Sequence, residues 1–228
     1  MTQTTFQIDL PKQQLSHSLH QATRHSPALT IAKNAHIYQR GDKDEQVYFI
    51  ESGQVKLVML SPEKRDCLLA IHAEGDIFGE LCLSGADTRL ETATAMETTV
   101  LKQIPRPKFF ARLARDTQLV SGFVQYLTAR VADQQQVIAD LVTTDSEQRL
   151  GKTLLRLART LGKPDLNNSI RIEPRITHEE LSEMVGTTRP RISVFMQRFR
   201  NLGLIETNTD HFLIIKENKL VDYLAQIA

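Results

Sequence analysis

Apolar positions along this chain follow two different periods. From about residue 29 to residue 104 they come in short runs cut by glycine and turn residues: AHIYQRGD, QVYFIESG, QVKLVMLSPEK, DCLLAIHAEGD, IFGELCL and TTVLKQI. Val55, Leu57 and Met59 alternate with Lys56 and Val58, the period of two that marks a half-buried strand. Gly41, Gly53, Gly75 and Gly79 punctuate the runs, and short strands at such spacing predict a small barrel or sandwich. Beyond Pro107 the period becomes helical. KFFARLARD predicts one helix, about Thr117 to Val142 a longer one, and EQRLGKTLLRLARTLG a third, capped by Asp145 or Ser146. Residues 162–168 read as a loop, and Ile170 and Ile172 as a short strand. Residues 1–27 read as a polar arm with at most one short helix around Leu15 and Leu19.

The long helix carries a seam. Val124, Leu127, Val131, Gln134, Ile138 and Leu141 are spaced 3, 4, 3, 4, 3. That a/d stripe is narrower than the face a core helix usually buries, and it points to a parallel two-helix dimer contact. Gln134, the one polar member, would fix the register at some cost in stability.

Residues 177–205 read as a helix, a glycine turn and a second helix. Thr177 and Glu180 form a capping box, and Leu181, Met184 and Val185 make an apolar face. Gly186 suits a turn that needs positive φ. Thr187 or Thr188 caps the second helix, Pro190 sits in its first turn, and Gly203 ends it. Ile192, Phe195, Met196, Phe199 and Leu202 should face the core. Leu204-Ile205 and residues 212–215 then flank Asn208-Thr209-Asp210 as a hairpin. Outside the apolar face lie Arg189, Arg191, Arg198 and Arg200, with no acid between Glu183 and Glu206. Arg189, Ser193 and Gln197 share a face at i, i+4, i+8, as in a helix that enters the major groove. Arginine pairs with guanine O6/N7 and glutamine with adenine N6/N7.

Charge supports that division. The net charge is only +1, but the chain from residue 146 holds 13 Lys+Arg against 10 Asp+Glu, and the remainder 15 against 17. The positive excess falls where DNA would bind. Two cysteines, Cys67 and Cys82, support neither a disulfide framework nor a structural zinc site, and no metal site is expected. The polar N-terminus shows no secretory signal, and no apolar run reaches membrane-spanning length. A cytoplasmic protein without a membrane partner is expected.

A glycine-punctuated barrel, a long dimer helix, a short hinge and a winged helix–turn–helix, in that order, resemble the catabolite activator / fumarate–nitrate regulator (Crp/Fnr) family of transcription regulators. The resemblance covers roughly residues 29–228 and rests on Gly41-Asp42, YFIESGQVKL, EGDIFGELCL and the helix–turn–helix. It implies an α+β chain with a jelly-roll, cyclic-nucleotide-binding-like sensor at 28–115 after the arm at 1–27. A dimerisation helix at 116–144 and a winged helix–turn–helix DNA-binding domain at 145–228 follow. It also implies a homodimer on a two-fold palindromic operator, with RNA polymerase as a candidate partner.

In cyclic-AMP-binding members the phosphate segment looks like Gly79-Glu80-Leu81 followed by Arg89 here. Backbone N–H groups near Gly79 can cradle an anion, Arg89 can neutralise it, and Glu80 can accept from a ribose hydroxyl. Alternatively Gly79 is a turn residue and Glu80–Arg89 an internal ion pair. The sequence departs from those members at Leu90 and Glu91, where they carry serine and alanine. It departs again at Gln134 and Gln135, which align with their adenine contacts. Leu90 cannot donate to phosphate, and an inward Glu91 would repel it. Cyclic AMP, another small effector and no effector all remain open. His72 and Cys82 are the residues a haem sensor would use, and an isolated histidine on a strand reads as structural.

On the DNA side, Thr188 precedes the reading face. Arg189 matches the family's guanine-reading arginine, whereas Pro190 and Val194 replace a glutamate and a second arginine. Val194 offers a thymine methyl only apolar contact, so the operator should differ from the half-site of the best-known members. Arg198 and Arg200 suit phosphate contacts. The rival readings are a nucleotide-sensing module acting on a protein partner, and an enzyme. No nucleophile–base pair, metal cluster or P-loop supports the enzyme.

Overall fold

The computed structural model describes residues 9–24, 26–60, 66–173 and 175–227. The chain divides into two compact units, residues 1–59 with 70–137 and residues 60–69 with 138–228. The first eight residues of the expected arm lie outside the described residues.

Among the described residues, eight strands that lie mostly in the first unit form two four-stranded sheets rather than a closed barrel. These strands are β1 (Ala28–Ile31), β2 (His36–Tyr38), β3 (Gln46–Ser52), β4 (Val55–Leu60), β5 (Asp66–His72), β6 (Ile77–Phe78), β7 (Thr92–Ala95) and β8 (Thr99–Pro105). One sheet runs β1-β8-β3-β6 and the other β2-β7-β4-β5, a jelly-roll arrangement. β3 shows why two layers of core form. Its residues Tyr48 and Ile50 meet Val55, Leu57 and Ala93 of the second sheet, while Val47 and Phe49 join the helices. Alternation puts successive side chains on opposite faces, so a strand buried on both sides reads as the continuous apolar run VYFI. On β4 the expected alternation buries Val55 and Leu57, but Met59 is exposed.

Helices α1 (Asp9–Thr23), α2 (Arg106–Leu113) and the first part of α3 (Thr117–Thr143) cover the outer face of the first sheet. The short helix expected around Leu15 and Leu19 within the polar arm is 15 residues long, and both leucines are fully buried. Gly122 of α3 lies at that contact, with room for a Cβ. A Cβ there would meet the Leu15 backbone nitrogen at 3.5 Å.

The second unit holds the end of α3, then α4 (Ser146–Leu161), α5 (His178–Val185), α6 (Arg189–Asn201) and α7 (Glu217–Gln226). Strands β9 (Gly162–Pro164), β10 (Ile170–Ile172), β11 (Ile205–Thr207) and β12 (Leu213–Ile215) form one sheet, ordered β11-β12-β10-β9. Residues 162–164, expected in a loop, pair with β10 instead. Asp145 caps α4 in a capping box with Gln148. Asp140, at the end of α3, takes Lys152 at 2.6 Å, which fastens the two helices across their junction. Among the described residues no helix is long and apolar enough to cross a membrane.

Candidate functional site

The helix–turn–helix is built by local signals. Thr177 Oγ1 accepts from the Glu180 amide and the Glu180 side chain accepts from the Thr177 amide, which closes the capping box that starts α5. Gly186 ends α5 at φ 67°, in the left-handed region where a side chain is strained. Thr188 is the N-cap residue of α6, although its hydroxyl makes no capping bond. Ile192, Met196 and Phe199 are buried, which turns the opposite side of α6 outward.

That outer side carries Thr188, Arg189, Pro190, Arg191, Val194, Gln197 and Arg198, all exposed. Neither Arg189 nor Arg191 has a side-chain partner among the described residues. Val194 is 65% exposed, an apolar contact held out to solvent. Gln197 donates to Asn201 at 2.9 Å, which restrains its amide group.

Three expected contacts are placed differently. Ser193 is half-buried and gives its proton to the Arg189 carbonyl at 3.1 Å, as a helical serine commonly does. A serine has one donor, so the 2.9 Å contact with His178 Nδ1 is one in which His178 donates. The exposed stripe therefore centres on 190, 194 and 197 rather than on 189, 193 and 197. Burial, then the charges of Arg200 and Arg189, hold the His178 pKa below its ordinary value. Arg198 pairs with Glu147 at 3.0 Å, and Tyr223 donates to the other oxygen of that carboxylate at 2.6 Å. Arg200 is half-buried, with its Nε enclosed and unbonded.

The sensor-side constellation is assembled, but its charges are spent internally. Arg89 lies between the sheets with its side chain 2% exposed. Its guanidinium donates to Asp44 through Nε at 3.2 Å and Nη2 at 2.8 Å. It also donates to the Gly79 carbonyl at 2.6 Å and the Gln46 carbonyl at 2.5 Å. Four of the five N–H donors of an arginine are thereby committed. The guanidinium carbon stands 4.1 Å from the centre of the Tyr38 ring. Burial alone would lower the Arg89 pKa, but the hydrogen-bonded Asp44 carboxylate carries it above its ordinary value.

Gly79 is needed for two reasons. Its φ is 76°, and a Cβ there would stand 2.9 Å from Arg89 Nη1. Glu80 pairs with neither Arg89 nor an open pocket. It takes Arg130 of α3 at 2.7 Å, an arginine that also lies over the Tyr126 ring. Glu91 points inward, 2% exposed, and accepts the Tyr38 hydroxyl at 2.8 Å; its Oε2 has no partner. Leu90 and Leu81 are exposed at 48% and 44%, and Gln134 and Gln135 also face solvent. The structure thus joins Gly79 and Arg89 but not Leu81, Leu90 or the glutamines.

A phosphate at this site would have to displace Asp44 and lie near the buried Glu91 carboxylate. The residues present do not fit a cyclic nucleotide bound through Arg89. His72 is buried, and desolvation followed by the Arg130 charge pushes its pKa down to about 3, a neutral structural imidazole. Cys82 is buried beside Gln46, where burial raises its thiol. Among the described residues no group of three or more His, Cys, Asp or Glu could hold a metal ion.

On α3, Val124, Val131, Ile138 and Leu141 are exposed at 54, 50, 63 and 47%, with Gln134 among them. Leu127 is partly buried against the first unit's core. Leu141 also reaches the turn of the reading motif, where a Cβ on Gly186 would meet it at 3.3 Å.

Asp44, Arg130, Glu147 and His178 were not singled out in the sequence. Arg130 had a visible signal, since it is the only basic residue in 117–143. The others are recognisable only from their partners.

A jelly-roll unit followed by a long helix and a winged helix–turn–helix with unpaired outward arginines defines a DNA-binding regulator with a sensor-type domain. The chain matches the Cyclic nucleotide-binding domain over residues 28–116 and the Crp-like helix-turn-helix domain over residues 148–223. It is 31% identical over 179 residues to the transcriptional regulator LdrP of Thermus thermophilus, covering 78% of this chain and 86% of that protein. It is 27% identical over 184 residues to a CRP-like cAMP-activated global transcriptional regulator of Mycobacterium tuberculosis, covering 81% and 82%. A CooA variant from Carboxydothermus hydrogenoformans shares the fold, with a TM-score of 0.73 at 24% identity over 90% of each chain. The chain belongs to the Crp/Fnr family of transcription regulators.

Proposed function

We propose that this protein is a homodimer that reads a two-fold DNA operator with α6, dimerises through the outward seam of α3, and acts in the cytoplasm at promoters served by RNA polymerase. The observation that carries this reading is the face of α6, where Arg189, Arg191, Val194 and Gln197 stand exposed on a helix anchored by Ile192, Met196 and Phe199. Arg189 takes the guanine-reading role, Val194 meets a thymine methyl, and Arg191 contacts phosphate. Arg198 is exposed but already pairs with Glu147, which makes Arg191 the better phosphate contact. Measured by fluorescence anisotropy, Arg189→Ala should cost about 1–3 kcal/mol on the operator and leave random DNA nearly unchanged. Equal losses on both would remove its base-reading role.

For the sensor, the Arg89–Asp44 pair favours a regulator that binds its operator without cyclic AMP. The Mycobacterium relative is described as cAMP-activated, so the two alternatives separate cleanly. Operator affinity measured with and without cyclic AMP should be the same here, and a rise of tenfold or more with the nucleotide would overturn the reading.

A further inference from the structure

We propose that a cleft at the end of β3 and β8 binds a small organic polyanion, a molecule whose carboxylate or phosphate groups carry two or more negative charges on a short carbon skeleton. The cleft has a volume of about 470 Å³, within the size range of small-molecule sites. Its charged lining comes from Lys108 and Arg112 of α2 and from Asp44. The two cations are four residues apart and so share one face of the helix. Among the described residues neither has an ion-pair or hydrogen-bond partner for its side chain. Asp44 is already neutralised by Arg89 at 2.8 Å and accepts the Tyr48 hydroxyl at 2.8 Å. The cleft therefore presents two uncompensated positive charges.

The rest of the lining suits a short organic anion better than a bare ion. Pro27 and Ile104 give an apolar wall, and Gln103 offers an amide. The site is separate from the family's phosphate segment, since Gly79, Glu80 and Leu81 are not in its wall. Yet the two share a partition. Asp44 and Gln46 line the cleft and also hold Arg89, whose Nη1 reaches Gly79 on the other side. A ligand drawn to the cleft thus sits beside the pair that locks the sensor interior. Binding here does not depend on how α6 reads DNA, so failure of one reading leaves the other standing.

Calorimetric titration of the full chain at low ionic strength tests this. The probes are citrate, glucose 6-phosphate and uncharged glucose. Citrate or glucose 6-phosphate should bind saturably, and glucose should not. Binding of citrate alone identifies carboxylates as the ligand class, and binding of the sugar phosphate alone identifies phosphate esters. Lys108→Gln/Arg112→Gln should weaken the bound anion at least tenfold, with each single variant intermediate. Arg106→Gln serves as the control, because Arg106 on the same helix pairs with Glu45 at 3.3 Å; it should change affinity less than twofold. Absence of saturable binding by both anions overturns the proposal, as does equal affinity in the double variant or equal binding of glucose.

Discussion

Arg89 and Arg189 carry the same group and have opposite fates. Arg89 is enclosed between two sheets and spends four N–H bonds on Asp44 and two carbonyls. Arg189 stands at the exposed start of a helix with no side-chain partner among the described residues. The difference lies in what each fold leaves within reach. The sensor unit pairs several of its inward ionisable groups with an opposite charge, as Glu80 with Arg130 and Asp76 with Lys12. The reading helix is kept clear of acid on its outer side, and where an acid does come near, Glu147, it is taken by Arg198 and Tyr223. A motif arginine predicts anion binding only when the fold has not already supplied the anion.

The sharpest way to break this comparison is to separate the two copies of the reading helix. Val131→Asp places a charge in the outward seam of α3. If the seam joins protomers, the variant should be monomeric and lose about 100-fold or more in operator affinity, because two linked half-site contacts become independent. Light scattering that shows an unchanged dimer would place the contact elsewhere.

The next effect belongs to the sensor. Asp44→Ala leaves the Arg89 charge buried with two carbonyls only, and should destabilise the chain by about 3 kcal/mol in denaturant unfolding. The pair Asp44→Ala/Arg89→Met removes both charges and should recover more than half of that loss. Arg189→Ala, by contrast, should leave stability within about 0.5 kcal/mol of wild type, as expected of an exposed position. A stable Asp44→Ala protein would mean that Arg89 is not locked, and an anionic effector would return as the better reading.

The reading motif was legible because its determinants are local. The Thr177–Glu180 box, the Gly186 turn and the Gly203 stop lie within a few residues of what they control, and all are in place. The strand runs of the sensor were legible too, and so was the approach of Arg89 to Gly79. The partner of Arg89 was not, because Asp44 lies 45 residues away and nothing in the spacing links them. Helix α1 is longer than its sequence signals for a related reason: Leu15 and Leu19 are a small apolar face on a polar helix, and they are buried in one cluster with Phe49, Phe109 and Phe123. Helix α7 was missed although Leu220, Tyr223 and Leu224 keep a helical spacing. Ser193 was placed one step off because its hydroxyl bonds back to its own helix.

The smallest effect is one of pH, and it should appear only in acid. His72 is 5% exposed, stacked 6.3 Å from Phe78, and faces Asp76 at 3.9 Å, with Lys12 and Arg130 opposing a proton there. Its folded pKa of about 3 lies below the ordinary 6.5. Between those values the unfolded chain binds a proton that the folded chain refuses. Stability is therefore full above about pH 6.5 and declines as pH falls, by at most about 1.4 kcal/mol per pH unit from this one group. His72→Met keeps an apolar side chain of similar size and removes the titration. Thermal midpoints of wild type and variant should agree closely at pH 7.5. At pH 5.0 wild type should have lost about 1–2 kcal/mol more than the variant. Parallel curves would show that His72 takes up its proton without resistance, and the sensor interior would then be more open to charge than Arg89, Glu91 and His72 together indicate.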